Sequence, residues 1–191
     1  MNYQEAVTAL SKRNFVPAIA VFLGNLAYNP NDGHGWMHLG IAYTETGHQE
    51  AALEALHRAD LLIEAAPLSE ALGCAYMRID KLELARNYLE EAIALPDCPS
   101  SAYRNLGVVM LRLGDAASAE ALIDIALDCA PDDAQTLYAR TLLLDRRYRL
   151  GDLRAKEMLL NALEDLLRRP GAPVEIRHGA TRRLAGLASE E

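Results

Sequence analysis

Cysteine is scarce in this chain of 191 residues: Cys74, Cys98 and Cys129 make an odd number, with no CxxC or CxxH spacing among them. That excludes a disulfide framework and a zinc knuckle, and it suits a reducing compartment. Aromatic residues are few, at 6% of the chain. No stretch of about 18 uninterrupted apolar residues occurs, so no membrane-spanning helix is expected. The first five residues, Met1 to Glu5, lack the basic start and apolar core of an export signal. We expect a soluble, cytoplasmic protein. Also missing are a GxSxG elbow, a phosphate-cradling glycine loop and a dinucleotide fingerprint, so no catalytic residue, cofactor or enzyme activity is expected.

What is present is a composition that folds: 51% hydrophobic residues with 24% charged ones, enough apolar surface for a core. The net charge of −8 is divided unevenly. Residues 1–133 hold 8 Lys and Arg against 19 Asp and Glu, a net of −11, whereas residues 134–191 hold 11 against 8, a net of +3. Phosphate binding needs clustered cations, so an acidic body argues against nucleic acid. The arginines of the tail, Arg146, Arg147, Arg149, Arg177, Arg182 and Arg183, read as a solvated helix face.

Self-similarity is strong. The segment Trp36-Met37-His38-Leu39-Gly40-Ile41-Ala42-Tyr43 returns in weakened form as Ser69…Leu72-Gly73…Tyr76 and Tyr103…Leu106-Gly107…Met110, at steps of 33 and 34 residues. Six columns move together: Leu39/Leu72/Leu106, Gly40/Gly73/Gly107, Gly47/Asp80/Gly114, Ala52/Ala85/Ala119, Leu56/Leu89/Ile123 and Ala59/Ala92/Ala126. Apolar positions on either side of the Gly47 column fall at helical spacing, so the copied unit is a pair of antiparallel amphipathic helices. Glycine at 47 and 114 suits a left-handed helix end, and aspartate at 80 is among the few residues that tolerate it. Gly40, Gly73 and Gly107 stand inside helices, where glycine costs about 1 kcal/mol relative to alanine. Close approach of the partner helix explains that cost.

These residues resemble the tetratricopeptide repeat family. Trp36, Leu39, Gly40 and Tyr43 match the first half of its signature, and Ala119, Ile123, Ala126 and Pro131 match the second. A degenerate first copy keeps Ala6, Ala18, Phe22 and Pro30. Residues 134–169 follow in outline, with a first helix expected to be about one turn longer. The chain then breaks at Pro170-Gly171-Ala172-Pro173 before a last helix with Ile176, Ala180, Leu184 and Leu187. Two departures from the family pattern are Pro67 and the linker Pro96-Asp97-Cys98-Pro99. The expected fold is therefore all-α, a right-handed α-α superhelix of about five helix pairs, with repeats near 1–32, 33–66, 67–99, 100–133 and 134–169, and a capping helix over 170–191.

The resemblance implies that first helices line a concave face and that this face binds another protein, as a peptide or amphipathic helix. Its groove positions here are His34, Met37, Ile41, Glu70, Cys74, Met77, Arg104, Val108, Leu111 and Tyr138, with Leu142 beside the last. The family's clamp for a partner's terminal carboxylate is not expected, since Glu70 and Cys74 stand where Lys and Asn belong and a carboxylate would be repelled. The role expected is a non-enzymatic scaffold, adaptor or chaperone-like module, with no nucleic acid and no membrane as partner. Two alternatives stand beside it: self-assembly into homo-oligomers through atypical end repeats, and a metal site on His34 and His38, which are four residues apart on one helix.

Overall fold

The structure, a computed structural model, describes residues 1–96, 98–169 and 171–189. Among them are eleven α-helices: α1 (Tyr3–Ser11), α2 (Phe15–Tyr28), α3 (Gly33–Thr46), α4 (Gln49–Asp60), α5 (Ala66–Arg78), α6 (Leu82–Ala94), α7 (Ser100–Leu113), α8 (Ala116–Cys129), α9 (Ala134–Arg149), α10 (Leu153–Arg168) and α11 (Val174–Ala188). Asp97 of the linker and Pro170 of the break lie outside the described residues. None of these helices is long and apolar enough to cross a membrane.

The five hairpins turn in one way. The second or third residue beyond each first helix donates its N–H to a carbonyl five residues back: Asn14 to Ala9 at 2.9 Å, His48 to Tyr43 at 2.9 Å, Lys81 to Tyr76 at 3.0 Å, Asp115 to Met110 at 3.0 Å and Asp152 to Arg147 at 3.1 Å. This bond requires a left-handed residue just before the donor. Gly47, Asp80, Gly114 and Gly151 supply it, and in the first turn Arg13 does, at φ 57°. Aspartate then opens the following helix in two copies, Asp115 accepting from the Ser118 N–H at 3.0 Å and Asp152 from that of Arg154 at 3.1 Å. Helix α9 exceeds α7 by two residues instead of a full turn. Leu150, a non-helical cap, takes up the remaining length ahead of Gly151.

Packing within each hairpin is also copied. A Cβ placed on Gly40 would stand 2.5 Å from Leu56 Cγ and 3.2 Å from the Ala52 carbonyl oxygen. On Gly73 it would meet Leu89 Cγ at 2.5 Å and the Ala85 oxygen at 3.2 Å, and on Gly107 it would meet Ile123 Cγ1 at 2.9 Å and the Ala119 oxygen at 3.2 Å. The glycine and alanine columns thus bring two helix backbones together, and the bulky column fills the space beneath. Phe22 and Leu159 occupy that bulky place in the first and fifth hairpins and are fully buried.

The chain forms two compact units, Met1–Asn105 and Leu106–Glu191, the division falling inside α7. In the first unit α1 and α2 pack on α3 through Ala6, Ala18, Phe22, Leu26 and Leu39, and α3 to α5 share Met37, Leu56, Leu68 and Leu72. In the second, Leu111, Ile123, Ala139 and Leu143 join the residues 106–113 to α8 and α9. Its last helix, α11, lays Ala180 and Leu187 on Leu144, Leu159, Leu163 and Leu166, covering the apolar side of α9 and α10. Arg183 Nε fixes α11 to α9 through Asp145 at 2.6 Å, with both side chains mostly withdrawn from solvent.

Candidate functional site

In the first unit α3 and α5 run side by side, each presenting one face between them. Positions at spacings of three and four share a helix face, which groups Ile41, Thr44 and Glu45 on α3 and Pro67, Glu70, Ala71 and Cys74 on α5. These seven residues line a cleft of about 220 Å³. Small-molecule sites occupy about 300–1,000 Å³, so this cleft is the size of one or two inserted side chains. Its walls are mainly apolar, and the buried Thr44 hydroxyl is taken up by the Gly40 carbonyl at 2.9 Å.

The polar groups converge on Asn105, a nearly buried residue of α7. Its amide nitrogen donates to Glu70 Oε1 at 2.8 Å and lies 3.2 Å from Cys74 Sγ, and its carbonyl oxygen accepts from Arg104 Nε at 3.2 Å. Burial raises the Glu70 carboxyl above its ordinary range, opposed by the Ser101 hydroxyl, the Arg104 charge and the Asn105 amide. Burial, with the Glu70 charge adding, pushes the Cys74 thiol up to about 12. It is a thiol at neutral pH, not a nucleophilic thiolate. At the rim, Glu45 pairs with Arg13 at 3.3 Å and with Arg78. The chemistry on offer is shape, an apolar wall and one anchored carboxyl group.

The structure brings three of the expected groove residues, Ile41, Glu70 and Cys74, into this cleft, with Arg104 behind Asn105. Met77 lies half-buried a turn beyond Cys74, and His34 is exposed at the start of α3. Met37 and Leu111 are corrected to core residues: Met37 packs with Leu56, Leu68 and Leu72, and Leu111 with Ile123 and Leu143. In the second unit Val108 is half-buried against that same cluster. Tyr138 turns its hydroxyl to α11, where it would stand 2.5 Å from a Cβ on Gly179, so it belongs to the seam under the last helix. Thr44, Glu45, Pro67, Ala71 and Asn105 were not anticipated, although the first four follow from helical spacing around Ile41 and Glu70.

The histidine pair is split between two environments. His38 Nδ1 is 2.9 Å from the Tyr3 hydroxyl and its ring stacks on Phe22 at 5.5 Å, so burial lowers its pKa and the neutral imidazole is the form that fits. Among the described residues no group of three or more His, Cys, Asp or Glu side chains is placed to hold a metal ion.

Residues 70–134 match the tetratricopeptide repeat family. No curated protein matches the sequence. Among solved structures, MamA is similar at 26% identity, over 83% of this chain and 92% of that one, with a TM-score of 0.65. TTC0263, described as a thermophilic TPR protein in Thermus thermophilus, is similar at 27% identity, over 75% and 78% of the two chains, with a TM-score of 0.62. YrrB, described as a TPR protein with an unusual peptide-binding site, shares the fold at 18% identity, over 94% and 90%, with a TM-score of 0.63. One turn made in all five hairpins, with a glycine contact shared by the second, third and fourth, accounts for these likenesses: the fold is that of tetratricopeptide-repeat structures, and residues 70–134 match that family.

Proposed function

We propose that the protein is a non-enzymatic binding module that receives an apolar side chain of a partner's peptide or helix in the α3–α5 cleft of its first unit. The supporting observation is the cleft itself: Ile41, Pro67 and Ala71 form an apolar surface that none of the described residues of the unit fills, beside a carboxyl group held by Asn105. A partner side chain entering there removes apolar area from water, worth about 25 cal/mol per Å². The test begins with a partner captured from host lysate, identified and then purified. Ile41→Glu and Ala71→Glu should each weaken its binding by at least about tenfold, or about 1.4 kcal/mol, with the circular dichroism spectrum unchanged. Equal affinity for the variants and the parent would refute this role for the cleft.

Self-association is a second reading, and α2 favours it. This helix contains no charged residue, and it leaves Val16 77%, Leu23 45% and Tyr28 95% exposed. The other second helices of the hairpins carry charges along their outer sides. An uncharged apolar face complements a second copy of itself. Sedimentation should show concentration-dependent association that Leu23→Glu abolishes; a chain that stays monomeric at every concentration sinks this reading.

A further inference from the structure

Helices α4 and α6 each pack on α5, but their backbones do not meet, which leaves a furrow between these two second helices of the first unit. Aromatic side chains bridge it. Tyr76 of α5 stacks on Tyr88 of α6 with ring centroids 5.4 Å apart and planes within 6°, and its hydroxyl is 2.9 Å from Nε2 of His57 on α4. The His57 and Tyr88 rings are 6.5 Å apart. All three are half-buried, so part of each ring stays open to solvent, and Leu84, one turn before Tyr88, is exposed. Two exposed carboxylates flank the rings, Asp60 at the end of α4 and Glu91 three residues beyond Tyr88. Burial, then Tyr76, then the charges of Asp60 and Glu91 raise the Tyr88 hydroxyl above its ordinary range. Neither carboxylate has a cationic partner among the described residues. The arginines of these helices are engaged elsewhere: Arg58 pairs with Glu54 at 2.7 Å and lies over the Trp36 ring, and Arg86 pairs with Glu83 at 2.8 Å and Glu90 at 3.8 Å. The hairpin itself does not require this arrangement. One step of 33 residues earlier, Tyr76 corresponds to Tyr43, but Tyr88 corresponds to Ala55 and Glu91 to Arg58.

We infer that this furrow binds an arginine-bearing peptide segment of a partner, the guanidinium lying against the Tyr88 ring and meeting Asp60 and Glu91. A planar guanidinium suits both parts of the site, because it stacks on an aromatic face and forks its donors to carboxylates, which a compact ammonium does less well. Leu84 covers the methylene stem of the same side chain. A divalent cation is disfavoured, since no group of three or more His, Cys, Asp or Glu side chains is gathered among the described residues. Nucleic acid is disfavoured because its phosphates meet carboxylates here. The furrow is separate from the α3–α5 cleft: Tyr76 stands two residues on from Cys74, and side chains at that spacing leave a helix on different faces.

The test uses the full chain and fluorescent peptides of alternating arginine and glycine, compared by anisotropy with counterparts carrying lysine or citrulline. The arginine peptide should bind saturably, the lysine peptide more weakly and the citrulline peptide not at all. Its affinity should fall when salt rises from about 0.1 M to about 1 M, as screening shortens from about 10 Å to about 3 Å. Asp60→Asn combined with Glu91→Gln should weaken it at least about fivefold, and Tyr88→Leu likewise, with the circular dichroism spectrum unchanged. Both carboxylates are exposed, so the paired variant decides the matter even where Tyr88→Leu perturbs folding. Asp128→Asn with Glu157→Gln removes the same charge from exposed places in the second unit and should leave affinity unchanged. The inference is overturned by absence of saturable binding, by equal binding of the lysine or citrulline peptide, by indifference to the Asp60 and Glu91 changes, or by equal weakening from the Asp128 and Glu157 changes. Loss on Glu70→Gln alone would move the arginine to the α3–α5 cleft, overturning this inference and sparing the proposed function. Self-association dissolved by Tyr88→Leu would assign the furrow to a second copy of the chain and overturn it as well.

Discussion

Leu89→Ala should lower the unfolding free energy of the first unit by about 3 kcal/mol, since removing a fully buried leucine forfeits its transfer energy and leaves a cavity. Gly73→Ala, on the facing helix, should also destabilise. Alanine gains about 1 kcal/mol of helix propensity there, but its Cβ would lie 2.5 Å from Leu89 Cγ and 3.2 Å from the Ala85 backbone oxygen. Overpacking of this kind costs about 1–3 kcal/mol, and a helix backbone held between two neighbours has little room to yield. The double variant should lose less than the sum of the two single losses, because truncating Leu89 vacates the space that the new methyl needs. Trp36, the sole tryptophan, lies in α3 with its indole N–H donating to the Pro30 carbonyl at 2.8 Å, so its fluorescence reports on this unit during denaturation. Strict additivity in such a cycle would show that the Gly73–Leu89 contact does not set the spacing of the hairpin.

Phe22→Ala should have an effect of similar size, about 3–5 kcal/mol, but expressed locally. Phe22 is fully buried, its ring 5.5 Å from Tyr3 edge-on and 5.5 Å from His38 in a stack, and Tyr3 in turn bonds His38. These contacts join both helices of the first hairpin to α3. In a repeat array each hairpin is stabilised by its neighbours, and among the described helices α1 and α2 contact only each other and α3. The expected outcome is loss of amide-exchange protection throughout α1 and α2, with protection in α5 and α6 retained. Uniform loss across the first unit would show instead that it unfolds as one cooperative block.

The elements most legible in the sequence were those whose cause is local. Left-handed turns at Gly47, Asp80 and Gly114 followed from residue type, and the close contacts of Gly40, Gly73 and Gly107 from glycines placed where a helix would not otherwise carry them. Arg13 escaped notice because arginine carries no preference for φ 57°; the hairpin's packing and its own pairing with Glu45 and Phe15 hold it there. The cleft was legible in half. Ile41, Glu70 and Cys74 could be placed on one face by spacing, whereas Asn105 became its polar centre only through two contacts reaching more than thirty residues back.

Sequence by itself determined the repeated hairpin and the all-α class, because a period of 33 or 34 residues and a 3.6-residue apolar rhythm are properties of the chain alone. Tertiary structure alone decided which side chains on the first helices remain open to a partner. Met37 was sealed into a core while Ile41 was left at a cleft, although both are apolar residues on one first helix. Helical spacing says which residues share a face, but exposure depends on how closely the adjoining helix approaches, and that distance is set by side chains distant in sequence.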